Sequence, residues 1–156
     1  MSIHDMELLL GVAPAHVQAI TALGRPVTLK TGDTLFRLGD RADSLFVIDR
    51  GRVALTLPMQ IRERDEDILI EERAPGQTVG WSAIIPPHRF TLTASALIET
   101  DVLALPSAAL LEYFSTHPEV GYVVTRNIAS VVGQRLQVFQ AMWLREMQRV
   151  VKLSYA

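Results

Sequence analysis

The sequence predicts a mainly β fold with flanking helices: an antiparallel jelly-roll β-barrel followed by a long C-terminal helix. Three observations predict it. First, the run from Leu29 to Leu55 holds three short apolar segments cut by Gly32-Asp33, Gly39-Asp40 and Arg50-Gly51 at near-even spacing. Glycine takes the positive φ that tight hairpin turns demand, and aspartate tolerates it. Evenly spaced short strands with glycine turns are the pattern of a small antiparallel barrel or jelly roll. Second, Val53, Leu55 and Leu57 alternate with Ala54 and Thr56, and Leu92, Ala94, Ala96 and Ile98 alternate with Thr93, Ser95 and Leu97. Period two is that of half-buried strands. Third, the period changes beyond Pro106 to that of helices.

Taken in order, the elements form one domain over residues 1–156. N-terminal helices cover 3–23 in two pieces, broken near Gly11-Val12-Ala13-Pro14, with Pro14 suited to a first helical turn. Val17, Ile20 and Leu23 then share a face for packing on a barrel. A β-roll covers 27–105. Within it the charged block Arg62-Glu63-Arg64-Asp65-Glu66-Asp67 reads as a solvated hairpin tip. C-terminal helices cover 107–152. The first runs from Ser107 to Phe114. Thr116-His117-Pro118-Glu119 then reads as a helix start, with a capping hydroxyl, a proline in the first turn and a glutamate three residues on. In the helix that follows, Ile128, Val132, Leu136, Phe139, Trp143, Met147 and Val150 form a heptad-like seam. Some 35 helical residues extend about 50 Å, longer than a small barrel can cover. The seam is therefore a dimer interface, a face packed on the same barrel after a kink near Gly133, or divided, its N-terminal half packed on the barrel while its C-terminal half meets another chain.

Size and composition narrow the function classes. The chain has 156 residues, enough for one domain with a proper core. Its 15 lysines and arginines face 17 aspartates and glutamates, without the basic excess usual in nucleic-acid binders. There is no cysteine, which excludes disulfides and thiolate metal sites and points to a reducing cytoplasm. Asp5 and Glu7 precede Leu8-Leu9-Leu10, so the N-terminus lacks the basic region of a signal peptide. The uncharged run from Leu8 to Gly24 is interrupted by Pro14, His16, Gln18 and Thr21, which argues against a membrane span.

The strand-turn run, together with Gly80, Ala83 and Arg89 further on, resembles the cyclic nucleotide-binding domain family, in the form of a catabolite activator protein-like effector domain without the DNA-binding domain. The resemblance extends from about Gly11 to Leu136. It implies that the segment from Ala74 to Thr91 is a phosphate-binding cassette. Gly80 matches the cassette glycine, Ala83 its alanine and Arg89 the phosphate-binding arginine. Independently of the resemblance, a glycine, a short helical turn and an arginine can build an anion site from backbone amides and guanidinium donors. The loop before Arg89 is about one residue shorter than the family form, and Thr91 stands near the small or hydroxyl residues after the arginine. Trp81 takes the place of the glutamate that accepts the ribose 2′-hydroxyl, and tryptophan cannot accept that bond. Phe139 and Gln140 take the places of a base-contacting hydroxyl pair. The candidate ligand-binding residues are thus Gly80, Trp81, Ser82, Ala83, Arg89, Phe90, Thr91 and Phe139.

Each has a plainer reading. Trp81 reads equally as core filling or as a platform for a base, Arg89 as a structural arginine tying the loop to an acidic neighbour, and Ser82 as the cap of a turn. His88 reads as a surface loop residue. The four histidines, His4, His16, His88 and His117, include no His-x-His pair, so a metal-dependent jelly-roll enzyme is not expected, nor catalysis of any kind. The expected function is regulatory: a sensor for a small phosphate-bearing ligand, by family default cyclic AMP or cyclic GMP, with no cofactor and no metal. A homodimer through the long helix and an unknown downstream protein are the expected partners; nucleic acid and membrane are not. Two alternatives remain. One is a ligand-free dimerisation or docking module. The other is a truncated transcription regulator of the catabolite-activator type, whose winged-helix domain would begin where this chain ends at Ala156.

Overall fold

The computed structural model describes residues 6–155; the helical expectation for residues 3–5, and His4, lie outside them. A 3₁₀ turn at Glu7–Leu9 and helix α1 (Pro14–Ala22) lead into eight strands. These are β1 (Arg25–Leu29), β2 (Thr34–Phe36), β3 (Ser44–Arg50), β4 (Val53–Ile61), β5 (Arg64–Arg73), β6 (Thr78–Val79), β7 (Thr93–Ala96) and β8 (Thr100–Pro106). Helices α2 (Ser107–Thr116) and α3 (Pro118–Ser154) complete the chain. The strands form two antiparallel four-stranded sheets, ordered β1-β8-β3-β6 and β2-β7-β4-β5. The expected jelly roll is the observed fold, and its strands span Arg25–Pro106.

The interior follows from the alternation. Leu45, Val47, Val53, Leu55, Ala94, Val102 and Leu105 are all buried and belong to one core. Leu8, Ile20, Leu110, Val124 and Ile128 close the same core from the helices. Alternation ends earlier than the sequence suggests, since β7 stops at Ala96 and Leu97 and Ile98 are exposed in the turn to β8. Gly51, between β3 and β4, has φ +103°, and a Cβ there would stand 2.3 Å from the Thr100 hydroxyl and 2.6 Å from the Glu99 carbonyl. Because that obstacle includes backbone, Gly51→Ala is expected to lower stability by about 2–3 kcal/mol, read from the midpoint of urea unfolding.

The charged block is the exposed tip of the β4–β5 hairpin, as expected, with Arg62 and Glu63 of the block in left-handed φ (51° and 64°) at its turn. Arg64 to Asp67 open β5, paired with Pro58 to Ile61 of β4. A two-residue hairpin needs positive φ at both central residues, and the strands extend right up to it. Other expectations change. Thr116 does not cap α3. Its hydroxyl donates back to the Tyr113 carbonyl at 3.0 Å, closing α2, and α3 starts on Pro118 alone. The seam is also not one surface. Helix α3 runs unbroken through Gly133. It lays Val124, Ile128, Val131 and Arg135 into its own barrel, with Val138, Phe139 and Met142 half-buried on the same side. Phe139 is thus within reach of the barrel, contrary to its place in the predicted seam. Leu136, Trp143, Met147 and Val150 face outward, between 41% and 64% exposed.

Candidate functional site

The segment from Ala74 to Thr91 crosses from β6 to the loop before β7. Gly80 has φ +84°, and a Cβ there would meet Phe90 at 3.0 Å and the Ser44 carbonyl at 3.4 Å, so the position favours glycine twice over. It opens the 3₁₀ turn Trp81–Ala83. Phe90 stacks on Phe36 with centroids 3.8 Å apart, and Phe36 on Phe46 at 5.8 Å. This aromatic column anchors the end of the loop. His88, expected on the surface, is half-buried with φ +59°. Its Nδ1 lies 3.0 Å and 3.1 Å from the carbonyls of Ser82 and Ala83. Both partners only accept, so Nδ1 carries the proton and donates. Ser107, at the start of α2, also donates to the Ala83 carbonyl. The loop is tied back onto the 3₁₀ turn it follows.

Gly80, Trp81, Ser82, Phe90 and Thr91 line one small cavity with Phe36, Leu55, Leu92 and Arg135. Five of the expected site residues therefore converge. Ala83 is buried in the core. Phe139 packs half-buried against it and does not line this cavity. Arg89 does not line it either. It is exposed, and its Nη1 donates to the Gly39 carbonyl at 3.0 Å. The backbone explains why: Gly39 N–H donates to the Phe90 carbonyl and Phe90 N–H to the Asp40 carbonyl, at 2.8 Å and 3.0 Å. Arg89 sits on that bridge, beside the Gly39 carbonyl it binds.

The cation that faces the cavity is Arg135 of α3, only 7% exposed. Its Nε and Nη2 both donate to Glu71 Oε2 of β5, at 3.0 Å and 2.9 Å. Glu71 Oε1 lies 3.5 Å from Arg73 Nη1. Arg73, 2% exposed, donates to Glu7 Oε2 at 2.6 Å and to the Thr78 carbonyl at 3.2 Å. The Thr78 amide donates to the same Glu7 oxygen at 3.0 Å. Four charges, Glu7–Arg73–Glu71–Arg135, thus form a ladder of alternating sign that links the N-terminal turn, β5 and α3, with its arginines buried and its carboxylates 23% and 21% exposed. Burial pulls the Arg135 guanidinium below its ordinary value, and the Glu71 carboxylate opposes that shift. It remains a cation at neutral pH, as arginine does. Sequence reasoning missed this ladder. Its only signal was a run of charges in β5 with no turn residue to explain them.

The cavity holds about 10 Å³, room for roughly one water molecule. Trp81, half-buried, packs against the core beside it. No helix among the described residues is long and apolar enough to cross a membrane. No group of three or more histidine, aspartate or glutamate side chains among them could hold a metal ion.

The family model for the cyclic nucleotide-binding domain matches residues 26–117. The chain belongs to that family. Among curated proteins, the CRP-like cAMP-activated global transcriptional regulator of Mycobacterium tuberculosis is 27% identical over 122 residues, 76% of this chain and 52% of that protein. Glutaminase 2 of Bradyrhizobium diazoefficiens is 27% identical over 139 residues, 86% of this chain and 21% of that protein. The chain thus spans about half, or less, of the curated relatives it matches. Among solved structures, the N-terminal domain of a transcriptional regulator from Streptomyces coelicolor has TM-score 0.69 at 27% identity, over 84% of this chain and 89% of that one. Thermus thermophilus catabolite activator protein has TM-score 0.72 at 21% identity, over 91% of this chain and 63% of that one. The last is a likeness of fold.

Proposed function

We propose that this domain is a regulatory sensor that takes a small phosphate-bearing ligand between the Gly80–Ala83 turn and Arg135, and that two copies pair through the outer face of α3. The observation that carries the reading is the convergence of five cassette residues on one cavity with a buried cation opposite. Ligand class follows from charge: an anion can take the place that Glu71 holds on Arg135. Arg89 joins by leaving the Gly39 carbonyl, one exposed hydrogen bond worth about 1 kcal/mol. Cyclic AMP and cyclic GMP are the first candidates, supported by the family and by the M. tuberculosis relative's name. The same domain-sized match in a transcriptional regulator and in a glutaminase supports a portable, non-catalytic module with its output in another protein. Cytoplasmic residence, and no contact with nucleic acid by this segment alone, belong to the same reading.

A ligand of nucleotide size needs a pocket of about 300 Å³ or more. The small cavity therefore has to widen, by movement of Trp81 or by release of Arg135. Its small size also favours a second reading, a ligand-independent docking module in which Glu71 permanently supplies the anion. Calorimetric titration with cyclic AMP and cyclic GMP separates the two. Because Trp81 cannot accept a ribose hydroxyl, cyclic AMP is expected to bind weakly, about 1–3 kcal/mol short of a site that pairs that group. Glu71→Gln frees Arg135 and is expected to tighten binding about tenfold, whereas Arg89→Ala weakens it by at least as much. Neither heat nor a thermal shift with either nucleotide, in wild type and Glu71→Gln alike, would leave the docking reading standing. A submicromolar constant for cyclic AMP would overturn the inference drawn from Trp81.

A further inference from the structure

The outer face of α3 is wider than a two-helix seam. At 3.6 residues per turn, Leu136, Trp143, Met147 and Val150 fall within an arc of about 60°. Leu144 and Val151, 54% and 49% exposed, extend that arc on the side away from the barrel. In heptad terms Leu136, Trp143 and Val150 occupy d, Met147 occupies a, and Leu144 and Val151 occupy e. A two-stranded pair buries a and d and ordinarily carries charge at e; an apolar a, d and e face belongs to a bundle of more than two helices.

The charge around this strip says what the additional helix is. From Ala141 onward the chain carries Arg145, Arg149 and Lys152 against Glu146 alone, while the whole chain is net −2. Glu146 lies 3.7 Å from Arg149, on the far side of α3 from the strip. Gln148, Lys152 and Arg145 border the Leu144–Val151 strip on its open side, about 50°, 90° and 110° around the helix from it. Those are the positions that the flanking side chains of a docked helix reach. Two dimers joined here would bring four basic tails together, with like charges facing. An acidic helix meets the same apolar strip and neutralises its border.

We infer that Leu144 and Val151, bordered by Lys152 and Arg145, form a docking strip for an acidic amphipathic helix of another protein. It rests on the pairing of α3 proposed above only in that Trp143 and Val150 are then occupied by the second copy. The probe is a labelled three-heptad peptide with leucine at a and d and glutamate at e and g, alongside a counterpart with lysine in place of glutamate. Fluorescence anisotropy against the full chain is expected to show the acidic peptide binding at least about tenfold tighter than the basic one. Leu144→Asn with Val151→Asn is expected to weaken it about tenfold or more without changing the sedimenting mass. Arg145→Glu with Lys152→Glu is expected to reverse the preference between peptides. Equal binding of both peptides, no binding of either, or indifference to the Leu144 and Val151 changes would overturn the strip. So would a tetramer in sedimentation that excludes the peptide, or uptake by phosphatidylserine vesicles with no peptide binding. A monomer that still takes the acidic peptide through Leu144 and Val151 would support the strip while removing the pairing; a dimer that takes neither peptide removes the strip alone.

Discussion

With Arg73 replaced by alanine, the unfolding free energy is expected to fall by about 3–5 kcal/mol, the range found when one partner of a buried ion pair is removed. Arg73 is 2% exposed and stands between two carboxylates, those of Glu7 and Glu71. Without it the Thr78 carbonyl loses a donor, and Glu7 keeps only the Thr78 amide. Glu71 still has Arg135, so the stranded charge is chiefly Glu7. A second variant separates charge from packing. Arg73→Met with Glu7→Gln removes both members of that pair and is expected to recover a substantial part of the loss, since an apolar replacement of a whole buried pair is often near neutral. Urea unfolding at neutral pH reads both. A loss below about 1 kcal/mol for Arg73→Ala would place the pair among ordinary surface bridges and contradict its burial.

Charging the outer face of α3 is expected to have the next largest effect. Trp143 is 64% exposed and Val150 51% exposed in a single copy, and a stripe of this kind is larger than soluble monomers usually show. Burying each such side chain contributes about 1.5–3 kcal/mol. Trp143→Asp with Val150→Asp should therefore raise the dimer dissociation constant by about a thousandfold or more, enough to turn a micromolar dimer into a monomer. The barrel should remain folded, because neither residue touches the core. Sedimentation velocity measures the mass and circular dichroism the fold. A wild-type chain that is already monomeric at micromolar concentration, with the double variant unchanged, would remove the pairing from the reading.

Much of the fold was legible because its signals are local. A glycine followed by aspartate marks a turn through its own φ, as at Gly32 and Gly39, whose φ values are +87° and +90°. The change of period at Pro106 marks α2 within its first residue. The convergence of Gly80, Trp81, Ser82, Phe90 and Thr91 on one cavity is local for the same reason, since they lie within twelve residues of one another. What could not be read was set by distant partners. Arg135 and Glu71 are 64 positions apart, Arg73 and Glu7 66 apart. Each looks solvated when read alone, since an isolated arginine on a helix is usually at the surface. Asn127 is similar: its amide donates to the Leu8 and Leu10 carbonyls at 2.8 Å and 2.9 Å, pairings nothing in its neighbourhood announces. Arg89 shows the opposite limit. Its place in the chain was clear, but the direction of its side chain was decided by a carbonyl 50 residues earlier.

The ladder also constrains how α3 can travel. Asn127 grips the N-terminal turn, and about two turns further along Arg135 grips Glu71. Displacements of α3 lengthen both sets of bonds at once. Halfway positions are therefore unfavourable, because the Arg135 guanidinium, 7% exposed, is then short of its carboxylate. Under the sensor function proposed above, such a helix would rest fully engaged or come fully free rather than tilt by degrees, and the threshold would be set jointly by the Arg135–Glu71 contact and the Asn127 bonds to Leu8 and Leu10.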